Sequence, residues 1–223
     1  PSNVNDSLIN RYLGTDYRIS NGMKYRILDD NIGYIRCATF EYGLGSGNLN
    51  EILAYFLTAR GLIIDIRNNG GGMITSAEEL AARFTNDDIL VGYFQHKTGR
   101  GHNDFSAMKE QWLHPSRGLR WQKPVVVLTN RGVYSAANEF VKYMKCCPNV
   151  KIVGDTTGGG AGLPFSSELP NGWSVRFSAC PIYDKDGQST EFGIPPDVHA
   201  GLNRFDFFSG IDTIIEQARK ILK

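Results

Sequence analysis

The sequence lacks several features that would assign it to a class at once. It has only four cysteines in 223 residues, with no CxxC pair and no histidine at ligand spacing, so neither a disulfide scaffold nor a structural zinc site is favoured. No apolar run approaches the roughly 18 residues of a membrane span. Basic and acidic residues number 24 and 23, which gives no basic field for nucleic acid. We therefore expect a globular domain with neither a nucleic-acid partner nor a membrane span.

The start of the chain lacks a methionine. The sequence begins at Pro1, and residues 1–20 have neither the charged start nor the apolar middle of a signal peptide. We expect a processed form or a piece of a longer protein, in which residues 1–21 are a linker from an N-terminal domain and residues 22–223 form one compact domain. A hydrophobic content of 41% is enough for a large core in that domain.

Strand and helix patterns alternate along the chain. Residues 23–28 and 32–40 predict a β-hairpin around an Asp-Asp-Asn turn. Short apolar runs predict strands buried on both faces at residues 61–67, 123–130 and 150–155. Helical spacing of apolar residues marks residues 49–59, 74–84, 136–144 and 209–222. This order predicts an α/β fold with a largely parallel central sheet.

Local signals refine the outline at the helix ends and in the loops. Thr75 or Ser76 is expected to cap the helix over residues 74–84, and Ser209 with Asp212 resembles a capping box. Residues 172–184 predict one longer strand after a Pro-Asn-Gly turn. The irregular stretch 96–122 predicts a surface excursion that borders a cleft.

Two glycine-rich loops follow predicted strands. In the segment DIRNNGGGM, Gly70, Gly71 and Gly72 let the backbone approach a ligand and turn its N–H groups toward a developing negative charge. A flexible turn is the alternative, and the local pattern leaves both open. The segment GDTTGGGAG, residues 154–162, lacks the lysine and hydroxyl of a phosphate-binding loop, so nucleotide binding is disfavoured.

A serine lies between a predicted strand and a predicted helix in the segment RGVYSAANEF. At that place Ser135 could be a nucleophile, because the free N–H groups of the helix start stabilise an oxyanion beside it. It could equally be an N-cap, which is the interpretation that the local pattern favours. Val133 and Ala137 occupy the glycine positions of a G-x-S-x-G elbow, so an α/β-hydrolase is disfavoured.

Four motifs stand in one order along the chain: DIRNNGGG, YSAANEF, GDTTGGGAG and EFGIPPDV. This order resembles the tail-specific (C-terminal processing) serine peptidases and the core of the tricorn protease, over about residues 22–198. The resemblance implies a crotonase-like (ClpP-type) spiral of βαβ units, with residues 22–223 as the peptidase catalytic domain. It implies Ser135 as the nucleophile, the N–H groups of Ala136 and Gly71 as the oxyanion hole, and no metal or cofactor. It also places four glycines at the substrate: Gly70, Gly72, Gly159 and Gly160.

The sequence departs from one branch of that family. The tail-specific branch uses a Ser-Lys dyad, with the lysine in a loop of the form G-E-x-T-x-G-K-G. Gly160 stands at the place of that lysine, and no lysine lies between Lys151 and Lys185, so such a dyad is excluded. The loop resembles the tricorn-like branch, which uses a Ser-His pair supported by another Ser and a Glu. In that branch Glu191 orients the imidazole, whereas the local pattern alone favours an exposed loop glutamate.

The histidine of such a pair has no motif in this chain. The four histidines, His96, His102, His114 and His199, all lie downstream of the place where the family carries a D-G-H motif in an N-terminal helical domain. We therefore expect the base to come from a domain outside this chain, so that this piece alone does not cleave the peptides or unfolded protein tails on which the family acts. The alternatives are a non-catalytic peptide- or ligand-binding module of the same fold and a crotonase-type acyl-thioester enzyme. Relatives of this kind are mostly exported, which implies the periplasm or cell envelope.

Overall fold

A computed structural model describes residues 3–223. Its helices are α1 (Asp6–Leu13), α2 (Ser46–Tyr55), α3 (Ile74–Ala81), α4 (Ala136–Lys145), α5 (Arg204–Phe208) and α6 (Thr213–Ile221). Its strands are β1 (Arg18–Ser20), β2 (Met23–Ile27), β3 (Ile32–Arg36), β4 (Gly61–Asp65), β5 (Ile89–Phe94), β6 (Lys109–Leu113), β7 (Val125–Thr129), β8 (Val150–Gly154), β9 (Phe165–Glu168), β10 (Ser174–Phe177), β11 (Ile182–Asp184) and β12 (Val198–His199).

A seven-stranded sheet forms the centre of the protein, with the order β1-β2-β3-β4-β7-β8-β12. The strands from β3 to β12 pair in parallel, while β1, β2 and β3 pair antiparallel. The predicted hairpin is therefore confirmed as β2 and β3. The predicted α/β fold with a mostly parallel sheet is confirmed as well.

Apolar residues alternate between two cores, one on each face of the sheet. In β4, Leu62 and Ile64 point into the larger core, beneath α2, α3 and α4. Ile63, between them, points into the smaller core, beneath α1 and α6. Because side chains alternate along a strand, a strand buried on both faces must be apolar throughout. This is why the short runs in β4 and β7 identified the centre of the sheet.

The predicted linker over residues 1–21 is wrong for its described part. Helix α1 places Ile9 and Leu13 in the smaller core, and β1 pairs with β2. The carbonyl of Asn3 accepts a hydrogen bond of 3.0 Å from Arg67 Nη1. These contacts make residues 3–20 part of the folded domain. Pro1 and Ser2 lie outside the described residues.

Several local predictions need correction. Ser76 does not cap α3, because its hydroxyl donates to the carbonyl of Tyr42 instead. Asp212 caps α6 alone, whereas Ser209 ends α5. The predicted strand over 172–184 is divided into β10 and β11, because the amides of Ala179 and Cys180 both bond to the carbonyl of Gly162 and turn the chain away.

The predicted excursion over residues 96–122 is only partly irregular. It contains β6, which pairs with β5 in a three-stranded sheet that also includes β11. No helix among residues 3–223 is both long and apolar enough to cross a membrane.

A buried charge network fixes the carboxyl end of β4. The Asp65 carboxylate accepts hydrogen bonds from Arg67 Nη2 at 2.6 Å and from the Tyr34 hydroxyl at 2.8 Å. Arg67 also pairs with Asp212 at 3.0 Å. Burial alone would raise the pKa of Asp65, but the guanidinium groups of Arg67 and Arg36 outweigh it and hold that pKa at about 2. The network therefore anchors the loop that continues into the three glycines.

Candidate active site

Three loops meet at the carboxyl ends of β4, β7 and β8, where ligands bind in parallel sheets. Gly71 follows β4 and is packed so closely on the β7 loop that an added Cβ would lie 2.8 Å from the Cβ of Ser135. The N–H of Ser135 donates to the carbonyl of Gly159 in the β8 loop, at 2.9 Å. Three motifs that lie far apart in the sequence are therefore in contact.

Ser135 holds a strained backbone conformation between β7 and α4. Its φ of 57° and ψ of −125° lie outside the regions that residues with a side chain prefer. Such a conformation costs roughly 1–3 kcal/mol and persists only where the surrounding structure imposes it. A sharp strand-to-helix turn of this kind exposes a nucleophile, although the sequence around Ser135 is not the G-x-S-x-G motif.

The hydroxyl of Ser135 does not cap α4. Ser135 occupies the N-cap position, but its side chain makes no capping hydrogen bond. The residue is half-buried, and within residues 3–223 its hydroxyl bonds to no other group. Ser135 is therefore the N-cap residue by position, as the local pattern predicted, but its hydroxyl does not do the capping and is available for chemistry.

An unused N–H lies directly beside this hydroxyl. Ala136 is the first residue of α4, and in the described part of the chain its N–H has no hydrogen-bond partner. The first N–H groups of a helix carry the positive end of its dipole. An oxyanion formed at Ser135 would find this donor in place.

The other expected donor, Gly71, is engaged. Its N–H donates to Asn69 Oδ1 at 2.9 Å, and Asn69 is itself held by a hydrogen bond from its Nδ2 to the carbonyl of Cys37. The N–H of the next glycine, Gly72, has no partner among residues 3–223. Nothing in the sequence singles out Asn69, because the bond from its side chain to the Gly71 amide depends on the conformation of the loop and leaves no pattern in the sequence.

Replacing Gly71 with alanine is expected to lower any activity at Ser135 by about a hundredfold, the typical cost of disturbing an oxyanion donor. Its φ of +103° disfavours a side chain, and the Cβ would lie 2.8 Å from the carbonyl of Tyr134 and 3.0 Å from the N–H of Ala136. Peptidase rates measured beside urea unfolding check this. Gly187→Ala is the matched control, because Gly187 also has a positive φ, of +78°, but a Cβ there meets no atom within 4 Å. Equal rates for both variants would contradict the placement of Gly71 against the site.

Glu191 lies beside the loop that supports Ser135. The N–H of Gly160 donates to the carbonyl of Glu191 at 2.9 Å, one residue after the glycine that holds Ser135. The Glu191 carboxylate accepts a hydrogen bond of 3.1 Å from the hydroxyl of Ser178, which also lies 3.1 Å from the carbonyl of Ala161. Ser178 was not predicted, since no local motif marks it.

A buried polar network fixes the position of Glu191 relative to α4. Asn138 in the first turn of α4 donates to the carbonyl of Thr190, and it accepts a hydrogen bond of 2.6 Å from the hydroxyl of Thr157. That hydroxyl accepts in turn from the N–H of Ile194 at 2.7 Å. Because every bond is buried, the network holds the serine loop, the second glycine loop and the glutamate in one arrangement.

Ser135 opens into a cavity of about 290 Å³, here called the serine cavity. Its wall includes Gly72, Ala136 and Gly160, together with two charged residues that the sequence did not single out. Glu139 is buried and pairs with Lys142 at 2.7 Å, but its Oε1 has no hydrogen-bond partner in the described residues. Arg176, on β10, forms no ion pair among residues 3–223. The cavity is large enough for a single side chain of a peptide.

None of the four histidines bonds to Ser135. His96 follows β5 and lies 3.8 Å from the thiol of Cys180. His114 pairs with Asp88 at 2.8 Å on the surface, and His199 is exposed in β12. His102 lines a different cavity, described below. In the described chain the serine and the glycines are thus in contact, the glutamate borders the second glycine loop, and no histidine bonds to the serine.

These features define a mixed α/β protein whose site centres on a half-buried, strained serine. The model of peptidase family S41 matches residues 31–200, and the chain belongs to that family. The carboxy-terminal processing protease CtpA of Bacillus subtilis (strain 168) is 28% identical over 176 residues, which are 78% of this chain and 36% of that protein. The family is thus one of serine peptidases, as the four motifs predicted.

Two solved structures extend the comparison. A protein of Parabacteroides merdae ATCC 43184 is 52% identical, with a TM-score of 0.96 over 100% of this chain and 71% of that one. Mature CPAF shares the fold, with a TM-score of 0.74 and 16% identity over 93% of this chain and 52% of that one. The chain spans about a third of the length of the curated relatives it matches, 36% and 34% for the first two.

Proposed function

We propose that this chain is the catalytic domain of a serine endopeptidase that cleaves peptides or unfolded protein tails through an acyl-enzyme at Ser135. The observation that carries the proposal is the strained Ser135 itself: its hydroxyl caps nothing and lies beside the unused N–H of Ala136. Strain of this kind at the mouth of a helix is characteristic of functional sites. Membership of a peptidase family and the position of Glu191 support the same conclusion.

The proposed chemistry follows from this arrangement. Ser135 Oγ adds to the carbonyl carbon of the scissile bond while a base takes its proton. The N–H of Ala136 and one N–H of the glycine loop then hold the oxyanion; Gly71 serves if Asn69 releases it, and Gly72 is already unpaired. The base passes the proton to the leaving amine, and the same residues catalyse attack of water on the ester. Gly70, Gly159 and Gly160 line the path of the substrate backbone.

The base in this proposal is a histidine from an N-terminal domain outside this chain, as in the tricorn-like branch. The absence of a histidine bonded to Ser135 in residues 3–223 supports it, and so does the carboxylate of Glu191, which is available to orient an imidazole. The crotonase-like, ClpP-type classification and export to the periplasm or cell envelope belong to the same proposal. The curated relatives that the chain matches are named as processing proteases.

A fluorophosphonate probe tests the proposal directly. It should label Ser135 in a protein that also carries the expected upstream domain, because only an activated serine reacts at a useful rate. Mass spectrometry of the labelled peptide identifies the residue. Residues 1–223 alone should label much more slowly. Absence of labelling in the longer protein would contradict the nucleophile.

A peptide-binding module of the same fold is the second candidate. It is favoured by one observation, the lack of a base bonded to Ser135 in the described chain. Such a module would bind peptides without turnover and without reaction at Ser135, so the same probe separates the two candidates.

A further inference from the structure

A second cavity of about 730 Å³ lies next to the serine cavity and is here called the aromatic cavity. Four phenylalanines line it, and each is at least 36% exposed: Phe105, Phe165, Phe177 and Phe192. Isolated exposed apolar residues are ordinary, but four aromatic rings around one cavity form a patch that usually binds something. Nothing in the catalytic proposal uses these rings.

The two cavities are adjacent and share part of their walls. Ile182 lines both of them, and Glu191 and Ser178 line the aromatic cavity. The Ser178 hydroxyl contacts the carbonyl of Ala161, which lines the serine cavity. An occupant of the aromatic cavity therefore lies next to whatever reacts at Ser135.

The hairpin of β9 and β10 lies between the two cavities. Side chains on one face of the hairpin line the aromatic cavity, and a side chain on the other face lines the serine cavity. Phe165 and Phe177 pair across the hairpin with ring centroids 4.2 Å apart, and both line the aromatic cavity. Arg176 and Ser166 form the next pair and point to the opposite face, where Arg176 lines the serine cavity. Successive side chains along one strand thus serve the two cavities alternately.

The backbone of this hairpin is also incomplete as a sheet. Within residues 3–223, β9 and β10 pair only with each other, so both outer edges have free N–H and C=O groups. An extended peptide can add to such an edge, and its own side chains then alternate between the same two faces. A residue in the serine cavity would be followed by one directed at the four rings.

We propose that the aromatic cavity is a specificity subsite that binds a large aromatic side chain of the peptide substrate, next to the residue held in the serine cavity. The inference rests on the proposed peptidase function, because it takes a peptide at Ser135 as the occupant. Phe165 and Phe177 pack edge to face with each other, and aromatic side chains prefer to join such arrangements.

Binding measurements on the Ser135→Ala chain test this without turnover. Fluorescein-labelled host peptides that carry one phenylalanine at successive positions are compared by anisotropy with the same peptides carrying alanine. The best phenylalanine peptide should bind roughly tenfold or more tightly than its alanine partner, as expected for burying one aromatic side chain. Phe177→Ala should remove this preference.

Trp173→Ala is the matched control, because Trp173 is 70% exposed near the hairpin tip and does not line the cavity. It should keep the preference, while circular dichroism shows that both variants are folded. Equal affinity for phenylalanine and alanine peptides would overturn the inference, and so would a preference that survives Phe177→Ala. Dimers that dissociate on Phe177→Ala, without peptide binding, would instead assign the rings to an interface between copies. Failure of fluorophosphonate labelling bears on the proposed peptidase function alone.

Discussion

Ser135→Ala is expected to lower kcat for peptide cleavage by roughly 10⁴-fold or more in a protein that also carries the proposed base. The reason is that no other group can form the acyl-enzyme, while binding and the oxyanion donor remain. The measurement is steady-state hydrolysis of a fluorogenic peptide. Ser209→Ala, at the exposed end of α5, should cleave at the parent rate.

Stability gives a second readout for the same residue. Ser135→Gly should unfold at a higher temperature than Ser135→Ala, because glycine accepts a φ of 57° at little cost. The gain should be about 1 kcal/mol. Cleavage by Ser135→Ala at the parent rate would refute the nucleophile, and equal stability of the two variants would refute the strain.

Asp65→Asn is expected to lower the free energy of unfolding by about 3–5 kcal/mol, the usual cost of breaking one side of a buried ion pair. Asp65 and Arg67 are fully buried, and the substitution leaves Arg67 with Asp212 as its only carboxylate. Urea unfolding at pH 7 measures the loss. Asp29→Asn, at a fully exposed carboxylate with only a long contact to Arg26, should change stability by less than about 0.5 kcal/mol.

The pH dependence of this effect has a definite sign. The pKa of Asp65 is held at about 2 in the folded protein, below its ordinary value near 3.8. Its stabilising contribution is therefore complete above pH 4 and is lost as the pH falls from about 4 to 2. The difference between parent and Asp65→Asn should shrink over that range. A difference that stays constant down to pH 2 would contradict the network.

The sequence was informative wherever one local pattern decides a structure. Continuous apolar runs identified β4 and β7, because a strand that lies between two cores has apolar side chains on both faces. The order of four motifs identified the family, and these motifs do converge around Ser135. For the strands, the period of the apolar residues carries the information; for the family, the resemblance of the four motifs carries it.

Contacts between distant segments could not be predicted in this way. The bond from Ser178 to Glu191 depends on how the chain turns after β10, and the turn is made by amides that bond to Gly162. The prediction of a linker over residues 1–21 failed because α1 is short and has few apolar residues. The role of those residues becomes visible only when the sheet on which they pack is known. The sequence also does not predict that the two faces of the β9–β10 hairpin line different cavities, because each cavity is formed by segments that are distant in the sequence.

The network that joins Asn138, Thr157 and Ile194 also sets the order in which the site can form. The strained turn at Ser135 depends on the hydrogen bond to the carbonyl of Gly159. The loop that carries Gly159 is held in place only after residues 190–194 have been synthesised and have bonded to α4 and to Thr157. During synthesis these residues leave the ribosome more than fifty positions after the serine. Between the synthesis of Ser135 and that of residues 190–194, the turn is thus expected to be relaxed, and the site forms only once the network is complete.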